Sequence, residues 1–330
     1  MKKLDRYQQA HRWLGFPIAV QKKFGEDQGG SLAGLIAYYG FYSLFPLLLV
    51  FTSVLGFVLQ GDPAAQQKIV KSAITQFPVV GDQIKAGALH GSGAALAIGA
   101  VTAVVSGLGV TLAAQNAFNR VYAVPFSQRP NFLKARLRGL AVLLVLGTFQ
   151  VIATAATGFI AGGGTGLAIA GVALALAVNV ALFFAAFRLL TDRKVPTREL
   201  MPGALTAAIV WDGLQAVGTL YIHHVVQGAT STYGTFALVI GLLTWLFLGA
   251  RVVVYSAEVN VVLSRRLWPR SLTDPPIEAD RRALAAMSRI EQHDRKQAID
   301  VSFEPPDDAT QPGENGRRRR SGAPAGSARS

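Results

Sequence analysis

Five side chains are polar or ionised inside runs that otherwise read as hydrocarbon: Gln150, Asn179, Asp212, Arg251 and Glu258. In "LGARVVVYSAEVNVVL", residues 248–263, Arg251 and Glu258 share nearly one helical face, about 10 Å apart along the axis. Helical rise places Arg251 about 21 Å in from Arg265, and Asp212 about 21 Å in from Arg198 on the preceding run. Those two runs are consecutive and antiparallel, so the spacing predicts an ion pair between Asp212 and Arg251. An unpaired charge at such depth costs at least about 2.5–3.5 kcal/mol. Glu258 then needs a different cation, and Arg120, Arg138 and Arg188 are its candidates.

Gln150 and Asn179 reach similar depths, which predicts that polar groups from four helices converge on one interior site. Such a site could hold a hydrophilic group in transit, with Asp212 or Glu258 carrying a coupling proton. Alternatively the same contacts only bind helices together, at about 0.6 kcal/mol each.

The elements that must position these residues are membrane-spanning helices. Charged residues make up 15 % of the chain and hydrophobic ones 51 %, against roughly 25 % charged in a soluble domain. Six runs, 31–60, 93–118, 139–160, 167–190, 200–222 and 235–263, reach about the 20 residues that a helix needs to cross hydrocarbon. The expected fold is all-α, a polytopic transmembrane bundle of about six spanning helices with amphipathic interfacial helices. Residues 1–30 form an N-terminal segment with an interfacial helix, 31–264 the six-span domain with an outer amphipathic loop at 61–92, and 265–330 a basic, largely disordered tail. The first long apolar run, from Ser31, has spanning length and reads as a signal anchor rather than a cleaved leader.

The net charge of +13 matters through its distribution. Lys and Arg crowd the N-terminal segment, the second connection (Arg120 to Arg138) and the fourth (Arg188 to Arg198), and are sparse or absent in the others. That alternation predicts cytoplasmic termini in a cell inner membrane and contact with anionic lipid headgroups, not specific nucleic acid. There is no cysteine, and neither a metal site nor a cofactor motif is found; "GGGTG" at 162–166 lacks the lysine of a phosphate loop and reads as a tight outer turn. Pro46 predicts a kink or break in the first span beside Tyr38, Tyr39, Tyr42 and Ser43, and Gly99, Ala103 and Gly107 predict close helix contact.

Three segments carry a resemblance: "AYYGFYSLFPLLLV" at Ala37–Val50, "NAFNRVY" at Asn116–Tyr122 and "YGTFALVIGLLTWLFLGARVVVYSAEVN" at Tyr233–Asn260. In these the chain resembles the YihY/BrkB family, formerly labelled ribonuclease BN, over about Leu4–Leu267. Tyr39, Ser43, Pro46, Asn116, Tyr233, Gly234, Glu258 and Asn260 match its motifs, and Ser256 stands where members commonly have glycine. The resemblance implies a six-span inner-membrane protein with a role in envelope integrity, some members being proposed to export lipid.

The expected function is therefore transport or flipping of a lipid or amphipathic envelope component. The alternative is a structural or scaffolding membrane protein, and a second copy of the chain is a candidate partner. A ribonuclease would want clustered histidines or carboxylates within reach of RNA, which this sequence does not supply, and no enzymatic activity is expected.

Overall fold

The computed structural model of the chain describes residues 2–58, 93–160, 165–221, 235–273 and 275–303. Two short helices open it, α1 (Lys2–Ala10) and α2 (Arg12–Glu26). Six long ones follow: α3 (Gly29–Val58), α4 (Gly93–Val121), α5 (Phe132–Ile160), α6 (Thr165–Leu190), α7 (Thr197–Tyr221) and α8 (Thr235–Ser264). A short polar helix, α9 (Glu278–Ser288), comes last, and no strand occurs among the described residues.

Five of the long helices, α3, α4, α6, α7 and α8, are long and apolar enough over their described residues to cross a membrane. α5 matches them in length but takes Lys134, Arg136 and Arg138 into its first turns. Their outward faces are apolar, with Ile98, Val105, Leu144, Val172 and Ile240 all exposed, the reverse of a bundle made for water. The chain is an all-α, multi-pass membrane protein. α3 stays helical through Pro46, so the chain does not break there. Membrane helices tolerate such a proline because neighbouring helices and hydroxyl side chains absorb the freed backbone groups, and Ser43 Oγ donates to the Gly40 carbonyl at 2.9 Å one turn earlier.

α3 lies along α4, α8 packs against α7, α3 and α2, and α5, α6 and α7 follow one another around the bundle. The small residues of α4 let these contacts close. A Cβ on Gly99 would meet Leu49 and Val50 of α3 at 3.2 Å, and one on Gly107 would meet Leu143 of α5 at 3.1 Å. Residues 59–92, 161–164, 222–234 and 304–330 lie outside the described residues. With them go the outer amphipathic loop, most of the glycine turn, Tyr233, Gly234 and the end of the basic tail.

One end of the bundle gathers both described termini. There α4 and α8 finish in the same way: Ala123 (φ 49°) and Arg266 (φ 51°) adopt left-handed backbone, and the amides of Val124 and Leu267 reach back to the carbonyls of Asn119 and Val262 at 2.7 and 3.0 Å. This is the cap that glycine usually makes. Arg265 donates to the Tyr122 carbonyl, tying the two helix ends together.

The N-terminal segment docks into this end rather than lying wholly on a membrane surface. Trp13 of α2 points outward at 68 % exposure, while Ala19, Val20 and Phe24 are buried in the main core with Phe118, Phe187 and Val254. The chain after α8 is folded as well, through α9. Arg270 is fully buried: its guanidinium donates to Glu26 at the end of α2 and to Asp280 of α9, and its backbone carbonyl accepts from Gln8 of α1.

Candidate functional site

α2 carries Val20, Lys23, Phe24 and Asp27 at helical spacing, so its buried face brings a cation and a carboxylate into the bundle with the apolar residues. Lys23 Nζ donates to Asp27 Oδ2 at the C-cap of α2 and, at 3.2 Å, to the Val121 carbonyl that ends α4. Its third neighbour is Glu258 of α8, with Oε2 also 3.2 Å away. All three side chains are essentially inaccessible, at 2 % for Lys23 and 0 % for Asp27 and Glu258. Burial works against the Lys23 ammonium, but Glu258 and Asp27 outweigh it and hold its pKa above the ordinary lysine value.

The partner of Glu258 is thus Lys23 and none of the arginines the sequence suggested. Arg120 donates to the Asp27 carbonyl at 2.9 Å, Arg138 pairs with Asp192, and Arg188 caps the Val195 carbonyl. Lys23 was overlooked among the surface cations of "QKKF". The available signal was its place on the apolar face of α2, four residues before Asp27.

Around this cluster the family-motif residues act as ties. Asn260 accepts from the Gly203 amide at 2.6 Å and donates to the Tyr122 hydroxyl at 3.1 Å, joining α8, α7 and the end of α4. Burial pushes the Tyr122 phenol above its ordinary range, so this group stays neutral. Asn119 exchanges hydrogen bonds with Asp192, at 2.6 Å to the side chain and 3.0 Å from the amide. Asn116, the other asparagine of that motif, is exposed. Tyr39 lies over Gly109, where a Cβ would come within 2.6 Å of its ring.

Asp212 and Arg251 do not form the expected pair. Asp212 accepts from Asn179 Nδ2 at 2.6 Å, which links α7 to α6. Arg251, near the middle of the span Val239–Ser264, faces α2 instead. Its guanidinium lies 5.6–5.7 Å from the ring centres of Phe24, Phe247 and Tyr255 and reaches the Tyr255 hydroxyl at 3.5 Å. That hydroxyl donates to Gln21 at 2.6 Å, and the Phe24 and Tyr255 rings stack 3.7 Å apart. Among the described residues no carboxylate lies within ion-pair distance of Arg251, and the aromatic faces supply the attraction. Of the five polar residues expected to converge, Asn179 and Asp212 meet, while Arg251 and Glu258 sit on two separate patches of the α2–α8 seam. The side chain of Gln150 lies outside the described residues.

A second polar assembly clamps the two ends of the chain together. Asp5 accepts from the Leu272 amide (2.9 Å), the Ser271 and Thr273 hydroxyls (3.1 and 2.9 Å) and Gln8 (2.9 Å). Burial alone would raise its carboxyl, but these donors hold it well below the usual carboxylate range. Asp280 is likewise lowered against the cost of burial, by Arg270, Lys22 and the Ser271 amide.

No group of three histidine, cysteine or acidic side chains that could hold a metal ion occurs among the described residues.

Residues 20–280 match the family model described as "Virulence factor BrkB", a span that includes Lys23, Glu258, Arg270 and Asp280. The chain is 26 % identical over 280 residues to a putative ribonuclease-like protein, YfkH, of Bacillus subtilis, covering 77 % of this chain and 96 % of that one. It is 22 % identical over 275 residues to a UPF0761 membrane protein of Acinetobacter baylyi, covering 80 % of this chain but 65 % of that protein. A UPF0761 membrane protein of Psychrobacter is 24 % identical over 280 residues, 80 % of this chain and 51 % of its own length. The chain therefore spans only part of the two UPF0761 proteins. No solved structure matches it. With the family model covering most of the bundle and its terminal clamp, the chain belongs to the BrkB family of membrane proteins.

Proposed function

We propose that this protein carries the anionic headgroup of a lipid or lipid-like envelope component across an inner membrane, and so serves envelope integrity. The observation that supports this reading is Arg251. A guanidinium near mid-span, half-buried, held against aromatic rings and without a carboxylate partner among the described residues, retains charge for an incoming anion. A side chain kept only to bind helices together would be neutral or paired, as Asp212 is by Asn179.

The bond from Tyr255 to Gln21 draws the arginine toward the end of the bundle that gathers the termini. With those termini cytoplasmic, a headgroup entering from the inner leaflet meets Arg251 along the α2–α8 seam. The exposed cations Lys134, Arg136, Arg193 and Lys194 at the same end would gather anionic lipid by about 1 kcal/mol each near the surface.

The test is transbilayer movement of headgroup-labelled lipids in proteoliposomes, comparing the native protein with Arg251→Gln shown to be folded. Movement of anionic lipids that falls at least tenfold in the variant supports the reading. No movement of any lipid, with or without a proton gradient, favours a scaffold, and unchanged movement in the variant removes Arg251 from the path. The ribonuclease-like name of the Bacillus relative would gain weight only from cleavage of RNA by the purified protein.

A further inference from the structure

The hydroxyl of Tyr255 joins side chains from two helices. It accepts from Arg251 Nη2 at 3.5 Å and donates to Gln21 Oε1 of α2 at 2.6 Å. A guanidinium only donates and a phenol carries a single hydrogen, so the Gln21 amide has to present its oxygen at this contact. Its NH2 group then points away from Tyr255, on an exposed residue, with no acceptor among the described residues.

Arg251 keeps donors in hand as well. Its Nε and Nη1 meet no protein acceptor among the described residues, and the rings of Phe24, Phe247 and Tyr255 hold the guanidinium without using its hydrogens. The acids of the seam are already taken: Glu26 pairs with Arg270, and Asp27 and Glu258 pair with Lys23. Lys22, next to Gln21, is spent on the Ser271 carbonyl and Asp280. One cation and one neutral amide, both donors, are what α8 and α2 leave open here.

We propose that Gln21 is the second ligand of an oxyanion site built on Arg251, and that the group this site takes is a terminal phosphate. The inference rests on the reading of Arg251 as the cation that meets a headgroup, and it names the chemistry of that headgroup. The planar fork of a guanidinium engages two oxygens. A carboxylate has no third, and a phosphodiester ties its other two oxygens into ester links, whereas a phosphate monoester keeps a third free oxygen for the Gln21 amide. Arg251 supplies the attraction and Gln21 the selection. Tyr255 is a positioning residue, stacked 3.7 Å from Phe24 and bonded to both donors.

Calorimetric titration of the purified, detergent-held protein with dihexanoyl phosphatidic acid, dihexanoyl phosphatidylglycerol, hexanoate and inorganic phosphate tests the assignment. Phosphatidic acid is expected to bind about tenfold tighter than phosphatidylglycerol or hexanoate, the worth of one further hydrogen bond to a charged group. That preference should be lost in Gln21→Met and equally in Gln21→Glu, which keeps an acceptor for the Tyr255 hydroxyl but has no amide donor. Phosphatidic acid binding tighter than inorganic phosphate makes the ligand a lipid, equal affinity makes it the free ion, and either result supports a terminal-phosphate site. Absence of the preference in the native protein, its survival in Gln21→Met, or its return in Gln21→Glu overturns the proposal. If Arg251→Gln still abolishes binding of every anion in those cases, the headgroup reading stands without it; if Arg251→Gln binds as the native protein does, both fall.

Discussion

Lys23 of the N-terminal helix and Glu258 of the last long helix are an ion pair, 3.2 Å apart and almost wholly shielded from solvent. The contact joins the two ends of the family-matched region, with Asp27 as a third member. Removing one member of a buried pair strands the other, at a cost of about 3–5 kcal/mol. Lys23→Met is therefore expected to lower the thermal unfolding midpoint in detergent sharply. Adding Glu258→Leu should restore part of the loss, because it removes the stranded carboxylate. A double variant no better than Lys23→Met alone would mean that the pair is not coupled.

Asp212 and Arg251 should behave as strangers. Each has its own company, Asn179 for one and the rings of Phe24, Phe247 and Tyr255 for the other. A double-variant cycle of Asp212→Asn with Arg251→Gln is expected to show coupling below about 0.5 kcal/mol, whereas Asp212→Asn with Asn179→Ala should exceed it. Stability measurements on the three single and two double variants decide the matter.

The contrast between these contacts shows what the sequence could and could not reveal. Apolar run length and the sorting of Lys and Arg are local properties, and they located the long helices and put both described termini at one end. Counting helical rise gives a residue's height but not its rotation about the helix axis. Asp212 and Arg251 matched in height, yet one turns toward α6 and the other toward α2. The Lys23–Glu258 pair was harder still, since it depends on an amphipathic helix folding into the bundle rather than resting on a membrane. Asn260 was legible as a motif position, but its bond to the Gly203 amide belongs to a helix crossing that no single run encodes.

Acid should release the clamp between the chain ends. Asp5 and Asp280 are held below the ordinary carboxylate value of about 4. Their stabilisation is in full above that value and is lost as pH falls through the lower values of the folded state. Hydrogen exchange at the Ser271 and Leu272 amides, which donate to these carboxylates, is expected to lose protection at acid pH while α8 keeps it. Asp5→Asn should weaken Leu272 protection already at neutral pH. Equal protection in the variant would show that the clamp does not rest on Asp5.

Ala123 occupies a left-handed cap at φ 49° that a side chain makes costly, by roughly 1–2 kcal/mol per residue. Ala123→Gly should therefore stabilise the protein, by about 1 kcal/mol once the greater freedom of glycine in the unfolded chain is counted. The gain is read as a raised unfolding midpoint of the purified protein in detergent. A lowered midpoint would show that the Ala123 methyl packs more than it strains.

Gly203 marks a close approach of α7 to the backbone of α8. A Cβ there would stand 2.3 Å from the Ser256 carbonyl oxygen and 2.4 Å from Asn260 Nδ2, and the Gly203 amide itself donates to Asn260. Gly203→Ala must push the helices apart, at a cost of about 1–3 kcal/mol. Trimming Asn260 to serine clears one of the two clashes but leaves the backbone carbonyl, so the double variant should remain destabilised. Full rescue by Asn260→Ser would mean that the side chain alone, and not the backbone of α8, demands glycine at position 203.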